Sequence, residues 1–344
     1  MGDSAPSAVT SAGRRDVIVV GASAGGVEAL VRLVRGLPPD LDASVCVVLH
    51  VASSGTSVLP SILDRAGPLP AQPAVDRDPV ERGRIVVGPP NCHLLLGREG
   101  VRLGQGPREN GHRPAIDALF RTAAKAFGPR VIGVILSGAL DDGTLGLSAI
   151  KEAGGLAVVQ DPDDALAPSM PQSAMHAVEV DFVVPADEIA GLLTRVVTET
   201  VEDVLPEPGE QVDIADTIAA VDPGISSQTG GLTCPECGGP LTPEEPNGVL
   251  RFRCRVGHVF SEESLLDAQS RGVETALWVA IRSLEERAAL LRRTSERIRD
   301  RGHEGLAERM ARQADAAEGH AQLIRRETVG RADEPIVASE AVEG

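Results

Sequence analysis

Three short segments of this chain carry residues able to act together on a carbonyl. The first reads Gly21-Ala22-Ser23-Ala24-Gly25-Gly26. A Ser between small residues, at a turn from a strand into a helix, projects its hydroxyl where little blocks an incoming group. The amides that start the helix lack intrahelical partners and can hold an oxyanion. The same kind of turn also cradles phosphate in a dinucleotide-binding fold, so the segment alone leaves both readings open. The second segment is the apolar run Val45-Cys46-Val47-Val48-Leu49, which stops at His50. A dinucleotide fold places Asp or Glu there for the ribose hydroxyl. An imidazole is instead suited to take the Ser23 proton, although a lone His at a strand end also serves structure. The third, Ser137-Gly138-Ala139-Leu140-Asp141-Asp142-Gly143, brings carboxylates after the run Val131–Leu136. One of them can orient His50, or Asp142 can cap the helix that follows. Together the segments supply a nucleophile, Ser23, a base, His50, and an acid, Asp142.

A separate group suits a metal. Cys234-Pro235-Glu236-Cys237, then Cys254 and His258, form C-x2-C, a gap of 16 residues, and C-x3-H. Such a set closes a tetrahedral Zn2+ site, and with all four positions filled the ion is structural rather than catalytic. Arg251, Arg253 and Arg255 flank the third Cys, where positive charge favours thiolates. The alternative is a reduced hairpin held by Leu232, Leu250, Phe252 and Val256. Of the five Cys, the other two, Cys46 and Cys92, stand alone in apolar stretches, which argues for reduced thiols over a disulfide framework.

Elements must bring these groups together. From Asp16 to Thr200, β-branched runs at Val17–Val20, Val45–Leu49, Arg84–Val87, His93–Leu96, Val101–Leu103, Val131–Leu136, Ala157–Gln160 and Phe182–Val184 read as strands. Helical periods cover Val27–Leu37, Pro114–Phe127, Thr144–Ala153 and Ala186–Val197. Alternation of this kind predicts an α/β fold, a doubly wound and mainly parallel sheet with helices on both faces. A small Cys-rich unit and an α-helical hairpin follow. The expected organisation is a disordered tail over 1–15, the catalytic domain over 16–200, an acidic linker over 201–231, the Cys unit over 232–260, the hairpin over 261–330 and a second disordered tail over 331–344. Leu277, Ile281, Leu284, Ala288 and Leu291 on one helix, and Leu306, Met310 and Leu323 on the other, are the expected apolar face. That face either closes the hairpin over the Cys unit or serves docking and self-association.

The chain has 344 residues, 42% of them hydrophobic, with no apolar run near the length of a membrane span. Its first 15 residues lack the apolar centre of a signal peptide, so a cytoplasmic address is expected. A net charge of −17 opposes binding to nucleic acid or anionic lipid. With few aromatics, the core must be built from Val, Leu, Ile and Ala.

The motifs, taken in order, resemble the catalytic domain of chemotaxis protein-glutamate methylesterases, the CheB family. "VIVVGASAGGVEAL" is similar to its nucleophile segment and "VVLHV" to its histidine segment. "GHRPAIDALF" is similar to a motif near its active site, "GVILSGALDDGTLGL" to its acid segment, and "SMPQSA" to a later Met-Pro turn. The resemblance spans residues 16–197 and implies the triad Ser23, His50 and Asp142, with Asp142 preferred to Asp141 because the family acid directly precedes Gly. This chain order, Ser, His, Asp, differs from that of the α/β-hydrolases.

The resemblance implies hydrolysis of glutamate methyl esters on receptor-type signalling proteins, with release of methanol and no catalytic cofactor. Arg113 of the "HRP" motif becomes a candidate for holding substrate or a loop, a structural salt bridge being the alternative. Gly25 and Gly26 are the other substrate-binding candidates. Family members usually have Thr where Ala24 stands, and Gly-Met-Gly where Gly138-Ala139-Leu140 stands. These departures keep a second reading open, a regulatory scaffold with weak turnover. Chemotaxis members carry a receiver domain ahead of the catalytic one. With about 15 residues before the first strand, a receiver-less form with a zinc-ribbon-like and helical extension is expected, and its esterase domain is expected to work without that extension.

Overall fold

The computed structural model describes residues 10–50, 57–204 and 231–330. The chain begins with β1 (Thr10–Arg14), β2 (Val17–Ala22), α1 (Gly26–Gly36), β3 (Ser44–Leu49), α2 (Leu59–Ala66), β4 (Ala71–Pro73) and β5 (Ile85–Val87). A hairpin, β6 (His93–Gly97) and β7 (Gly100–Gly104), leads to α3 (Ile116–Phe127), β8 (Val131–Ile135), α4 (Thr144–Glu152) and β9 (Leu156–Gln160). Next come α5 (Ser169–Ala177), β10 (Phe182–Val184), α6 (Ala186–Val196) and β11 (Thr200–Val204). The extension holds β12 (Leu241–Glu244), β13 (Arg251–Cys254), β14 (Val259–Ser261), α7 (Glu262–Arg299) and α8 (Glu304–Gly330).

Seven strands form one sheet in the order β10-β9-β8-β2-β3-β5-β4, and every pairing within it is parallel. All six residues of β2 and of β3 are buried. These strands therefore read as unbroken apolar runs, as strands covered on both faces must. Alternate side chains split between two cores. Ile18, Val20, Val45 and Val47 pack with Leu30, Leu33, Leu63, Ile189 and Leu193, so α1, α2 and α6 cover one face. Val17, Val19, Cys46 and Val48 pack with Leu119, Phe120, Leu147, Ile150 and Met170, so α3, α4 and α5 cover the other. In α1 the buried residues Ala29, Leu30, Leu33 and Val34 recur at the spacing of one helix face.

Several elements differ from the sequence expectation. Thr10–Arg14 pairs antiparallel with Thr200–Val204, so part of the expected first tail and the start of the expected linker form a two-stranded sheet. "TSAGR" has no alternation or β-branched run to announce a strand, and its partner lies at the far end of the domain. The expected linker over 205–230 and the expected tails over 1–9 and 331–344 lie outside the described residues. "SMPQSA", expected as a turn, opens the helix α5, where Pro171 falls in the first turn and breaks no helical hydrogen bond. Short α2 and β4 were not anticipated.

The chain divides into two compact units, 1–265 and 266–344, with the boundary inside α7. The first holds the parallel sheet and the three-stranded Cys segment, ordered β12-β13-β14. Leu241, Val259 and Phe260 are buried in that segment, whereas Val256 is exposed. Arg251 and Arg253 both bond to Glu244, so their charge is spent there rather than on the thiols.

In the second unit the α7–α8 seam is built from small residues. Ile281, Ala288 and Ser295, each seven apart, are buried, as are Ala307, Ala314 and Ala321 at the same interval. This is the spacing of a coiled-coil seam. Ser295 Oγ donates to the Ala307 carbonyl at 2.7 Å. Leu306 and Leu323, expected on the apolar face, are instead 37% and 59% exposed, because alanines let the helices approach too closely for leucines between them. Among the described residues no helix is long and apolar enough to cross a membrane.

Candidate active site

β3, β2 and β8 are neighbours, and the strand order reverses between β2 and β8. In open parallel sheets the crevice at such a reversal, outside the carboxyl ends of the strands, is where ligands bind. Ser23 is the residue after β2, His50 the residue after β3, and Asp142 lies in the loop after β8. His50 Nδ1 is 3.1 Å from Ser23 Oγ, and His50 Nε2 is 2.7 Å from Asp142 Oδ2. Ser23 is half-buried, while the side chains of His50 and Asp142 are only 6% and 2% exposed. The structure thus brings together all three residues singled out in the sequence.

Close backbone approach shapes the Ser23 turn. Its N–H donates to the Ser137 carbonyl at 3.0 Å, and its own carbonyl accepts from Gly26 N–H at 2.9 Å. Gly25 sits at φ 72° as the N-cap of α1, and a Cβ there would fall 2.7 Å from Ser137 Oγ. A Cβ on Gly138 would fall 2.1 Å from Met170 Sδ and 3.0 Å from Ser23 Cβ. Both glycines are required by space. Gly26 spends its N–H on closing the turn, so its observed part is turn geometry. Ser137 Oγ donates to the Ala24 carbonyl at 2.7 Å and accepts from Ala167 N–H at 2.9 Å, fastening the turn to the loop after β9.

Asp142 is held by four donors. Oδ2 accepts from His50 and, at 2.7 Å, from Ile116 N–H; Oδ1 accepts from Asn110 Nδ2 at 3.0 Å and Asp117 N–H at 3.3 Å. It therefore occupies the N-terminus of α3, where unpaired amides and the helix dipole favour an anion. It does not cap α4, whose N-cap is Gly143 without a side-chain bond. Burial works to raise the Asp142 carboxyl. The hydrogen bond and charge of His50, the charge of His112 and the Ile116 amide outweigh it and hold the group far below the ordinary carboxylate range.

Three neighbours complete the site. The His112 ring stacks on His50 with centroids 3.6 Å apart and planes within 8°, which fixes the plane of the His50 ring. Asp117 is buried; desolvation and then the negative charge of Asp142 push its carboxyl well above the usual range. Asn110 donates through one NH2 group to both carboxylates, Asp117 Oδ2 at 3.1 Å and Asp142 Oδ1 at 3.0 Å. Below them Arg121 forks onto Glu109 at 2.8 and 3.1 Å, and this cation outweighs burial to lower the Glu109 carboxyl. None of these was singled out in the sequence, although all lie in or beside "GHRPAIDALF". Arg113, the residue of that motif expected to act, bonds Asn91 Oδ1 at 2.6 and 3.1 Å and the Gly106 carbonyl at 2.7 Å through its guanidinium. Arg113 fastens loops in this structure. Holding a loop is one of the two roles expected for it, and among the described residues it forms no salt bridge.

The second expected cluster also assembles. The ligand atoms of Cys234, Cys237, Cys254 and His258 all lie within 4.8 Å of one another. Three of their separations are 3.4, 3.6 and 3.7 Å. Zn–S bonds of about 2.3 Å and Zn–N bonds of about 2.0 Å at tetrahedral angles require edges of roughly 3.5–3.8 Å. Three thiols and an imidazole at this spacing fit Zn2+. Two turns supply them, with Gly238 N–H bonded to the Cys234 carbonyl and Gly257 N–H to the Cys254 carbonyl. Both glycines have positive φ.

A parallel α/β sheet thus carries Ser, His and Asp hydrogen-bonded in series at its switch point, an arrangement able to support nucleophilic chemistry at the serine. The family model described as CheB methylesterase matches residues 18–193, just over half of the chain, and the chain belongs to that family. A putative protein-glutamate methylesterase/protein-glutamine glutaminase of Leptospira interrogans is 39% identical over 181 residues, covering 52% of this chain and 94% of the relative. A protein-glutamate methylesterase/protein-glutamine glutaminase of Anaeromyxobacter dehalogenans is 40% identical over 187 residues, and the match spans 54% of each. The catalytic domain of Thermotoga maritima CheB methylesterase superposes with a TM-score of 0.52 at 30% identity, covering 53% of this chain and 98% of that one. The chain is a protein-glutamate methylesterase by family and fold.

Proposed function

We propose that Ser23, His50 and Asp142 are the nucleophile, general base and orienting acid of an enzyme that demethylates glutamate side chains on receptor-type signalling proteins. The unbroken hydrogen-bond chain from Ser23 Oγ through His50 to Asp142 carries this reading. An ionised Asp142 only accepts, so neutral His50 keeps its proton on Nε2 and turns the Nδ1 lone pair toward Ser23. Ser23 Oγ attacks the ester carbonyl and its proton passes to Nδ1. Asp142 stabilises the imidazolium, and the amides that open α1 are the candidate donors to the oxyanion. Collapse of the intermediate breaks the C–O bond, and the Nδ1 proton leaves with methanol. Water, deprotonated by His50, then releases the carboxylate and restores Ser23.

The same steps on a glutamine side chain release ammonia, the second activity in the names of the relatives. The weak-scaffold alternative draws on Ala24 and Ala139, but neither substitution interrupts the hydrogen-bond chain. Cytoplasmic chemotaxis-like signalling is the setting this function implies. The Cys segment holds one Zn2+ through Cys234, Cys237, Cys254 and His258, where the ion supplies rigidity and no chemistry. The helical hairpin offers a surface for a partner or a second copy.

The test is covalent labelling by a fluorophosphonate together with methanol release from a glutamyl-methyl-ester receptor fragment. Labelling confined to Ser23 and methanol release abolished by Ser23→Ala are expected. Absence of labelling in the native protein favours the scaffold.

A further inference from the structure

The Cys segment does not merely follow the catalytic domain, because its last strand is bonded to the loop that holds Asp142. Val259 and Arg108–Asn110 run side by side. Asn110 N–H donates to the Val259 carbonyl at 2.7 Å, and Val259 N–H to the Arg108 carbonyl at 3.3 Å. Ser261 N–H then donates to Asn110 Oδ1 at 2.9 Å. That bond decides which way the Asn110 amide faces. With its oxygen committed to Ser261, its NH2 points at Asp117 and Asp142; the flipped amide would lose the Ser261 bond and set oxygen against the ionised Asp142. The adjoining acid is gripped too, since the hydroxyls of Ser261 and Ser264 both donate to Asp141 Oδ1, at 2.7 and 3.0 Å.

We propose that the Cys-His segment positions the catalytic acid through Asn110, so that metal-dependent ordering of this segment governs turnover. The proposal rests on the triad and zinc readings above and extends them. His258 immediately precedes β14, one residue before Val259 and three before Ser261. Ordering of the knuckle therefore sets where the Ser261 N–H lies. When it is lost, the Asn110 amide is free to rotate, and Asp142 loses one of its four donors along with its fixed tilt toward His50. Asn110 touches no substrate in this scheme and is a positioning residue.

The test uses the full chain with four measurements: zinc content, kcat and KM on a chromogenic acetate ester, Ser23 labelling by a fluorophosphonate, and the low-field proton resonance of the His50–Asp142 hydrogen bond. Asn110→Ala is expected to lower kcat roughly 10- to 100-fold with KM little changed, the range usual for outer groups that orient a reacting one. Its low-field resonance should move or broaden. Stripping zinc with a chelator should reproduce both effects, and readdition should reverse them. Leu323→Ala, on an exposed position of α8 away from these contacts, should leave kcat at the native value. Native kcat and resonance in folded Asn110→Ala, or in zinc-stripped protein, would overturn the proposal. If the native chain is inert to ester and fluorophosphonate, the triad reading fails. The resonance, compared between native, Asn110→Ala and stripped protein, still decides the coupling.

Discussion

Asp142 draws its character from position. A carboxylate with four donors, one of them an imidazole, ionises far more readily than the same group in water, while its neighbour Asp117 is pushed the other way. The two act oppositely on stability. A lowered folded-state value makes the Asp142 contribution complete above about pH 4 and removes it as pH falls through that lowered value. The raised value of Asp117 makes its contribution complete below about pH 4 and erodes it as pH climbs toward the raised value. Asp117→Asn cannot ionise, so its melting temperature relative to native protein should rise as pH goes from 4 to 8; a flat difference would show that Asp117 does not titrate there. At the catalytic end, Ser23→Ala and His50→Ala should each reduce ester hydrolysis by orders of magnitude. The double variant should be little worse than either, because the members act as a unit. Asp142→Asn should be severely impaired. Asp141→Asn keeps an oxygen for Ser261 and Ser264 and should retain most activity. A larger defect at Asp141 than at Asp142 would overturn the assignment of the acid. Ser23, His50 and Asp142 were legible because each follows its own strand at one edge of the sheet. Asn110 was not, because its meaning lies in Ser261, 151 positions away.

At the scale of elements, the loop from β8 to α4 carries strain that its sequence creates. Leu140 sits at φ 63°, in the left-handed region that favours Gly. A non-glycine residue there costs roughly 1–2 kcal/mol. The extra backbone freedom of Gly in the unfolded chain returns about 0.5–1 kcal/mol of that. Leu140→Gly should therefore raise the melting temperature by a few degrees while keeping the Leu140 N–H bond to Ser169 Oγ. A lower melting temperature would mean that the leucine side chain earns its place by packing. The hairpin offers the complementary case. Ala314 is fully buried in the seam, so Ala314→Leu should cost about 1–3 kcal/mol by overpacking. Leu323→Ala, on an exposed position, should stay within about 0.5 kcal/mol of native. Chemical denaturation of the full chain checks both. The two helices could be read from composition, but their seam could not. Leucine is the usual marker of a core face, and here alanine spacing sets how closely the helices meet.

Over the whole molecule, the division at Leu265 matters more than the change of composition near residue 200. The sequence suggested an esterase ending near Thr200, with the rest appended. Yet the compact unit that holds the triad runs on through the Cys segment, and Asn110 and Asp141 find partners in Ser261 and Ser264. Composition could show where the acidic stretch begins; it could not show that the chain returns to the acid loop afterwards. Two shortened chains separate these views. One ending just past Leu265 retains the metal knuckle, β14 and the first turn of α7, and loses only the second unit. It should fold, bind one zinc and hydrolyse ester within about threefold of the full chain, since the hydrogen-bond partners of Asp142 and Asn110 named above all remain. One ending near Thr200 removes the Ser261 N–H that orients Asn110 and both hydroxyls on Asp141. Its parallel sheet should still form, because both apolar cores lie before residue 200. Its kcat should fall roughly 10- to 100-fold, as in Asn110→Ala. Circular dichroism establishes folding in each, and the chromogenic ester gives kcat. Full turnover in the shorter chain would make the Cys segment dispensable to Asp142. Loss of turnover in the longer one would instead assign part of the site to the helical hairpin.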